Sequence, residues 1–390
     1  MAAQQDLQPC RQGTSVSPMT TLDRSAVDAL LARARRDVDD GLLPACQVAL
    51  ALDGEVVVHE AFGAADVDTR FTIYSATKPF VASLVWQLLG EGSLAPEIPV
   101  HELIPELATH GKDAITLDHV LQHTSGFPRA PLGSPRWATH EGRRAAFADW
   151  RLNWDVGSQF EYHPTSAHWV LAELIHAVTG LDHTEALRTR VLDPLGLTSF
   201  ALGPSLDDQD DIADLVLVGE PASPDELEAA LGVREIDVGE VTDAALLGLN
   251  DPAARAVGLP GGGGVSTAAD VAAFYQALLH DPKGLWSPAV LADVTSVVRN
   301  TFPDPVLGHP ANRTRGLIVA GDDGKSNLRG MGRTVSPLAF GHNGAAGQVA
   351  WADPATGLSF CYLTSGRDLN VLREHRRTTA VASLAAICAV

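Results

Sequence analysis

Cys46-Gln-Val-Ala-Leu-Ala-Leu-Asp-Gly-Glu-Val-Val-Val-His59 sets two apolar runs on either side of Asp53-Gly54. Asp-Gly suits the tight, left-handed turn whose twist matches that of paired antiparallel strands, so the stretch predicts a β-hairpin. A counterpart lies near the other end of the chain. There Gly347-Gln-Val-Ala-Trp351 and Leu358-Ser-Phe-Cys-Tyr-Leu363 bracket Asp353-Pro-Ala-Thr-Gly357, ahead of a helical tail expected from about Asp368 to Cys388. Before the first hairpin, Val27, Leu30, Leu31 and Ala34 recur at helical spacing between Asp23 and Asp40, an amphipathic helix ended near Gly41. The middle of the chain, 77 to 300, reads mostly helical, with segments at 77–90, 116–122, 166–179, 183–192, 267–279 and 287–297 among Pro- and Gly-rich loops.

Strands at both ends with helices between them predict an α+β fold. Its antiparallel sheet is built from both chain ends with helices on both faces, and a mostly helical lobe is inserted between them. The expected division is a flexible tail over 1–20, an α/β sheet domain over 21–90 and 300–390, and a mostly helical domain over 91–299. The acidic stretch Ser205 to Asp243 is poor in aromatics and reads as a solvated excursion with a short helix near 224–232.

The chain has 390 residues, 45% of them hydrophobic and 19% charged, enough for a large core and two lobes. A net charge of -20 repels phosphate backbones and anionic headgroups, so a small molecule is the expected partner rather than nucleic acid or a membrane. The first twenty residues lack a basic then apolar leader pattern, and no run reaches the ~18 apolar residues of a membrane span. The expected compartment is therefore the cytoplasm. Cys10, Cys46, Cys361 and Cys388 show no C-x-x-C or metal-ligand spacing, which points to buried free thiols.

Chemistry enters at Ile73-Tyr-Ser-Ala-Thr-Lys-Pro-Phe80, in a chain whose lysines stand only at 78, 112, 283 and 325. Pro79 has no N–H and is tolerated in a helix's first turn, and Phe80, Val81, Leu84, Val85 and Leu88 then recur at helical spacing. Ser75 and Lys78, three apart, share one face beside the helix's positive end. Burial and that end both disfavour an ammonium, so Lys78 is placed to take the Ser75 proton, while the same end favours a developing oxyanion. Because a residue before proline resists the α conformation, a start at Lys78 itself would leave Ser75 outside the helix. The plain alternative is a capping serine with a surface lysine.

Four ordered blocks carry a resemblance. They are Ser75-Ala-Thr-Lys78, then Leu117-Asp-His-Val-Leu-Gln-His-Thr-Ser-Gly-Phe-Pro128, then Gly263-Gly-Val-Ser-Thr-Ala-Ala-Asp270, then Gly341-His-Asn-Gly-Ala-Ala-Gly347. From about residue 24 onward the chain resembles the serine β-lactamase and penicillin-binding-protein superfamily, and within it the class C β-lactamase-like carboxylesterases. The resemblance implies an acylated serine at Ser75, an activating lysine at Lys78 and a proton-sharing tyrosine at Tyr162, with no metal and no cofactor. It implies oxyanion N–H groups at Ser75 and Ala345. The block His342-Asn343-Gly344 stands where lactamases carry Lys-Thr-Gly, and with Phe127 and Trp351 it supplies the expected substrate contacts.

Two departures bear on function. After Tyr162 the family carries Ser-Asn, whereas here His163-Pro164 follows, with Ser166 or His168 as candidate replacements. His342 replaces a lysine that serves as a fixed cation for a substrate carboxylate, and an ordinary histidine is mostly neutral at pH 7. The expected activity is thus hydrolysis of carboxylic esters. A β-lactamase or D-alanyl peptidase, an acyltransferase of the same fold, and a binding protein without turnover stay open. The loops near 129–136 and 322–336 are expected to set specificity.

Other features read as structure. His119 and His123 lack a third metal ligand, and Gly321-Asp-Asp-Gly-Lys-Ser326 lacks the first glycine of a phosphate loop. Gly261 to Gly264 suggest close packing near the site.

Overall fold

The computed structural model describes residues 21–237 and 239–390. The tail expected over 1–20, with Cys10, lies outside the described residues. Helix α1 (Arg24–Asp39) is capped by Asp23, whose carboxylate accepts from the Ser25 and Ala26 N–H groups. The hairpin follows as β1 (Ala45–Leu52) and β2 (Glu55–Gly63), with Asp53 and Gly54 turning at φ 53° and 84°. The chain returns to this sheet through β3 (Ile318–Val319), β4 (Phe340–Gly341), β5 (Val349–Asp353) and β6 (Leu358–Thr364). The six strands run in the order β2-β1-β6-β5-β4-β3, all antiparallel. The two chain ends meet where β1 pairs with β6, from Cys46 opposite Thr364 to Ala51 opposite Ser359.

The other main helices are α2 (Lys78–Gly90), α3 (Ser166–Thr179), α4 (Ala268–His280) and α5 (Val371–Ala386). Along β1, Cys46, Val48, Leu50 and Leu52 join Trp351, Phe360 and Tyr362 in a core beneath α1 and α5. Ala45, Ala49 and Ala51 point the other way, with Ala350, Ala352 and Cys361, and meet α4. Both faces are covered, so β1 is buried throughout and, apart from Gln47, alternates large and small rather than apolar and polar. Although α4 lies within 91–299 by sequence, it packs on the sheet and closes its second face.

Helix α2 is buried from Lys78 to Leu88, as expected of a helix that is apolar on every side. Phe80 stacks between Phe200 and Phe274, with ring centroids 4.1 and 3.9 Å away. Beside it runs a small sheet not legible in the sequence, made of Ala201–Leu202, Gly264–Ser266, Arg70–Thr72 and Ile212–Ala213. Strands of two and three residues are too short to show a period.

Three local expectations are corrected. The C-terminal helix starts at Val371, not near Asp368, because Asn370 caps it; Gly366–Asp368 pairs in parallel with Val216–Val218 instead. The helix expected over 183–192 is α-helical only through Leu187 and then widens into a π turn over Arg188–Leu192. The acidic excursion is tied down rather than merely solvated. Asp208 and Asp211 pair with Arg70, Asp214 with Arg255 and Asp243 with Arg367. A helix over His140–Asp149 was not signalled by the sequence. Cys46, Cys361 and Cys388 are unpaired and buried. Among the described residues no helix is long and apolar enough to cross a membrane.

One side chain fastens α4 to the sheet. Gln276 donates to the carbonyls of Ala51 and Gly357 and to Ser359 Oγ at 2.8, 2.9 and 3.0 Å, and accepts from the Gly54 N–H at 2.8 Å. Gln276→Leu leaves these groups unpaired, and a loss of about 3 kcal/mol is expected in urea unfolding. A loss below about 1 kcal/mol would show that the staple contributes little.

Candidate active site

Strand Arg70–Thr72 delivers the chain to a 3-10 turn over Tyr74–Thr77, and α2 begins at Lys78 with Pro79 in its first turn. Ser75 thus lies outside the α-helix but inside a turn with three residues per revolution. Side chains three apart eclipse in such a turn, and this places Ser75 over Lys78. Tyr74, just before it, sits at φ 46°, a left-handed conformation that non-glycine residues rarely adopt. The turn is held from the small sheet, where the Ile73 N–H donates to Gly264 O at 2.9 Å and the Gly264 N–H to Thr77 Oγ1 at 3.0 Å.

Lys78 is fully buried, and its Nζ lies 3.2 Å from Ser75 Oγ, 2.7 Å from Pro164 O and 2.6 Å from Gly261 O. Carbonyls only accept. A neutral amine therefore gives its two N–H bonds to Pro164 and Gly261 and turns its lone pair toward Ser75. An ammonium fills all three positions, so the cradle suits Lys78 before and after it takes a proton. Burial, with the Arg313 charge second, holds the Lys78 pKa well below the ordinary lysine range. Pro164 thus offers a backbone oxygen to the lysine from the position where the family carries an amide. Ser166 donates to Phe127 O at 3.0 Å and does not reach the lysine. Both ring nitrogens of His168 lack a partner. Gly261 has no room for a side chain, because a Cβ there would fall 2.8 Å from Pro164 O.

Lys78 Nζ stands 4.9 Å from the centre of the Tyr162 ring. The Tyr162 hydroxyl is buried without a hydrogen-bond partner. Burial pushes its pKa up to about 12, while the Arg313 charge and the nearby Ser75 hydroxyl act to lower it. His342 Nδ1 faces Asn343 O at 2.9 Å and its Nε2 faces Arg313 Nη1 at 3.4 Å, a pattern that assigns the proton to Nδ1. The ring is neutral, and burial followed by the Arg313 charge holds its pKa well below the ordinary range. The cleft nevertheless does not lack a fixed cation. Arg313 supplies one from 29 positions upstream (342 − 313), and no motif marks it.

The loop carrying His342, Asn343 and Gly344 presses against the turn that carries Ser75. A Cβ on Gly344 would fall 2.1 Å from Ile73 O, so only glycine permits this approach, and Ala345 follows it beside the turn. Asn343 Oδ1 accepts from the Ala350 N–H at 3.2 Å, an internal tie rather than a free contact. Asn343 and Gly344 line a cavity of about 320 Å³ with Arg313, Phe160 and Asn327. Tyr162 and Pro164 line a second of about 350 Å³ with Arg129 and Glu161, and Asp304 borders both. The loops 129–136 and 322–336 each supply a wall, and a third wall, the segment 304–307, had no signal in the sequence.

Two expected substrate contacts are not brought to the cleft. Trp351 is fully buried with Phe360 beneath α1 and α5, on the opposite face of the sheet, because alternate residues of β5 point to opposite sides. Phe127 is fully buried between Trp150 and His163 and acts through its backbone. His119 and His123 also part. His119 Nδ1 accepts from the Thr116 N–H in a capping box, and His123 turns inward, its ring 4.9 Å from that of Tyr162.

Fold and site together define an α+β protein of the Ser-x-x-Lys class. The chain belongs to the Beta-lactamase family, whose profile matches residues 29–385. It is 28% identical over 349 residues to the esterase/beta-lactamase LipL of Mycobacterium tuberculosis, covering 80% of this chain and 75% of LipL. A penicillin-binding-protein homolog from Caulobacter crescentus superposes with a TM-score of 0.75 at 26% identity, over 93% of this chain and 98% of that one. A family VIII carboxylesterase shares the fold, with a TM-score of 0.73 at 23% identity over the same shares of the two chains.

The histidines around the site have a consequence for stability. His163 Nδ1 faces Glu161 O at 2.6 Å and its Nε2 accepts from the Phe127 N–H at 3.3 Å, so a second proton has no place to go. Burial, reinforced by Arg313 and opposed by the Glu161 carbonyl, lowers its pKa to about 3. The unfolded chain binds this proton near the ordinary value of ~6.5, so the stabilisation is complete above that pH and is lost as pH falls toward the folded value. His163→Leu should flatten the dependence of unfolding free energy on pH between 6.5 and 4 by about 1.4 kcal/mol per pH unit. Parallel curves for the two proteins would contradict the assignment.

Proposed function

We propose that the protein is a serine hydrolase that cleaves small carboxylic esters through an acyl-enzyme on Ser75. The observation that carries this is the cradle of Lys78, which aims a lone pair at Ser75 Oγ while two carbonyls hold the other positions of the nitrogen. Ser75 Oγ attacks the ester carbonyl as its proton passes to Lys78. The tetrahedral oxyanion is held by the Ser75 and Ala345 N–H groups. The proton travels through Tyr162 to the leaving alcohol, and the carbonyl re-forms as the acyl-enzyme. A water enters, gives its proton to the same pair and releases the acid, restoring Ser75.

The relatives support ester substrates, since LipL is named an esterase/beta-lactamase. Pro164, whose presence left a non-catalytic protein open, supports turnover by offering its carbonyl to Lys78. The buried free thiols of Cys46, Cys361 and Cys388 among the described residues support a cytoplasmic location. Ser75→Ala should lower kcat/KM for 4-nitrophenyl butyrate by at least about a thousandfold with an unchanged circular dichroism spectrum. Full activity in that variant would end the proposal.

A second reading, turnover of β-lactams or D-alanyl peptides, is favoured by one observation. Arg313 restores a permanent cation beside His342, where a substrate carboxylate would lie. Hydrolysis of a chromogenic cephalosporin with kcat/KM above that of the simple ester would favour it. The ester reading expects the reverse order.

A further inference from the structure

Six arginines among the described residues are buried: Arg70, Arg143, Arg255, Arg313, Arg329 and Arg377. Five meet a carboxylate. Arg70 reaches Asp211, Arg143 reaches Glu173, Arg255 reaches Asp214, Arg329 reaches Asp323 and Arg377 reaches Asp368, at 2.5, 2.6, 3.3, 2.6 and 2.8 Å. Arg313, 8% exposed, forms no ion pair with any described carboxylate. Its guanidinium lies 5.0 Å from the centre of the Tyr162 ring and 5.2 Å from that of Phe160, and donates from Nη1 to His342 Nε2. A desolvated charge without a counter-ion is costly, and the two aromatic faces offset only part of that cost.

The groups this cation faces are those of the relay. The centre of the Tyr162 ring lies 4.9 Å from Lys78 Nζ and 5.0 Å from the Arg313 guanidinium. We propose that Arg313 is a positioning residue for the proton relay, its fixed charge beside Tyr162 and His342 keeping the Lys78 amine neutral and ready to take the Ser75 proton near neutral pH. Lysine serves as the fixed cation in the matching block of the family, and here the neutral His342 leaves that role to a residue on another segment.

The surrounding charges agree in sign. Lys78 on α2, His123 after the segment 117–121, His163 and His168 around the start of α3, and His342 all stand near Arg313 and are driven toward their neutral forms by burial first and by Arg313 among the charges. Asp304 acts on Arg313 only from beyond ion-pair distance, and Glu161 turns to Arg129 and Trp154. A positive charge lowers the proton affinity of whichever base takes the Ser75 proton, so the expected direction is the same for Lys78 and for Tyr162.

The inference rests on the hydrolase proposed above, and its test separates the two. Profiles of kcat/KM against pH are measured with 4-nitrophenyl butyrate, a neutral ester on which an anion-binding role would not register, for the wild type, Arg313→Met, Arg313→Lys and Ser75→Ala. The acid limb of Arg313→Met should lie about one pH unit higher than the wild type's, with a roughly tenfold loss on that limb, little change in KM, and recovery of most of the shift in Arg313→Lys. An unmoved limb, or a uniform loss at every pH shared by both variants, would overturn the inference while leaving a Ser75-dependent hydrolase in place. Full activity in Ser75→Ala would overturn both. If Arg313→Met does not fold, Arg313→Gln removes the same charge at a polar side chain and is judged by the same limb.

Discussion

A lysine withdrawn from water has to find its hydrogen-bond partners in the chain, and at Lys78 they come from three separate places. Ser75 belongs to the turn ahead of α2, Pro164 to the segment entering α3, and Gly261 to the loop entering the small sheet. Burying the amine without those oxygens would be costly, so the three segments are held in one arrangement by the group they surround. The rest of the architecture follows from that demand. Helix α2 is enclosed on every side, Gly261 lets the backbone approach the amine, and Gly344 lets the loop between β4 and β5 close against the turn of Ser75.

The electrostatics of the cleft are those of a site that avoids surplus protons. Four buried histidines around the site, His123, His163, His168 and His342, are driven toward their neutral forms, while Arg313 provides a permanent charge. Neutral rings fill the space around the buried amine without adding charge, and those of His123, His163 and His342 also carry hydrogen bonds. The one cation that does not titrate sits 5.0 Å from the centre of the Tyr162 ring.

What was legible in the sequence follows physical lines. The hairpins at both ends, α1 and α3 carry long periodic patterns and turn residues of defined conformation, and they stand within a few residues of their expected bounds. Ser75 and Lys78 were legible because local spacing sets their geometry, and the 342–345 block only through the resemblance to the family. The Lys78 cradle was not, since two of its three oxygens are backbone carbonyls that any residue type would supply. Arg313 was hidden because its role depends on a three-dimensional neighbourhood and on the absence of a carboxylate. Trp351 and Phe127 were misplaced because nearness in sequence to a motif does not say which face a side chain takes.

The central claim is that Ser75 is a nucleophile made reactive by a buried amine. It is tested most directly by treating the native protein with a fluorophosphonate, digesting it and locating the adduct by mass spectrometry, in the wild type and in Lys78→Met. The account predicts a single adduct on Ser75 in the wild type and labelling slower by at least about a hundredfold in the variant. No adduct on Ser75, or equal labelling in both proteins, would contradict it.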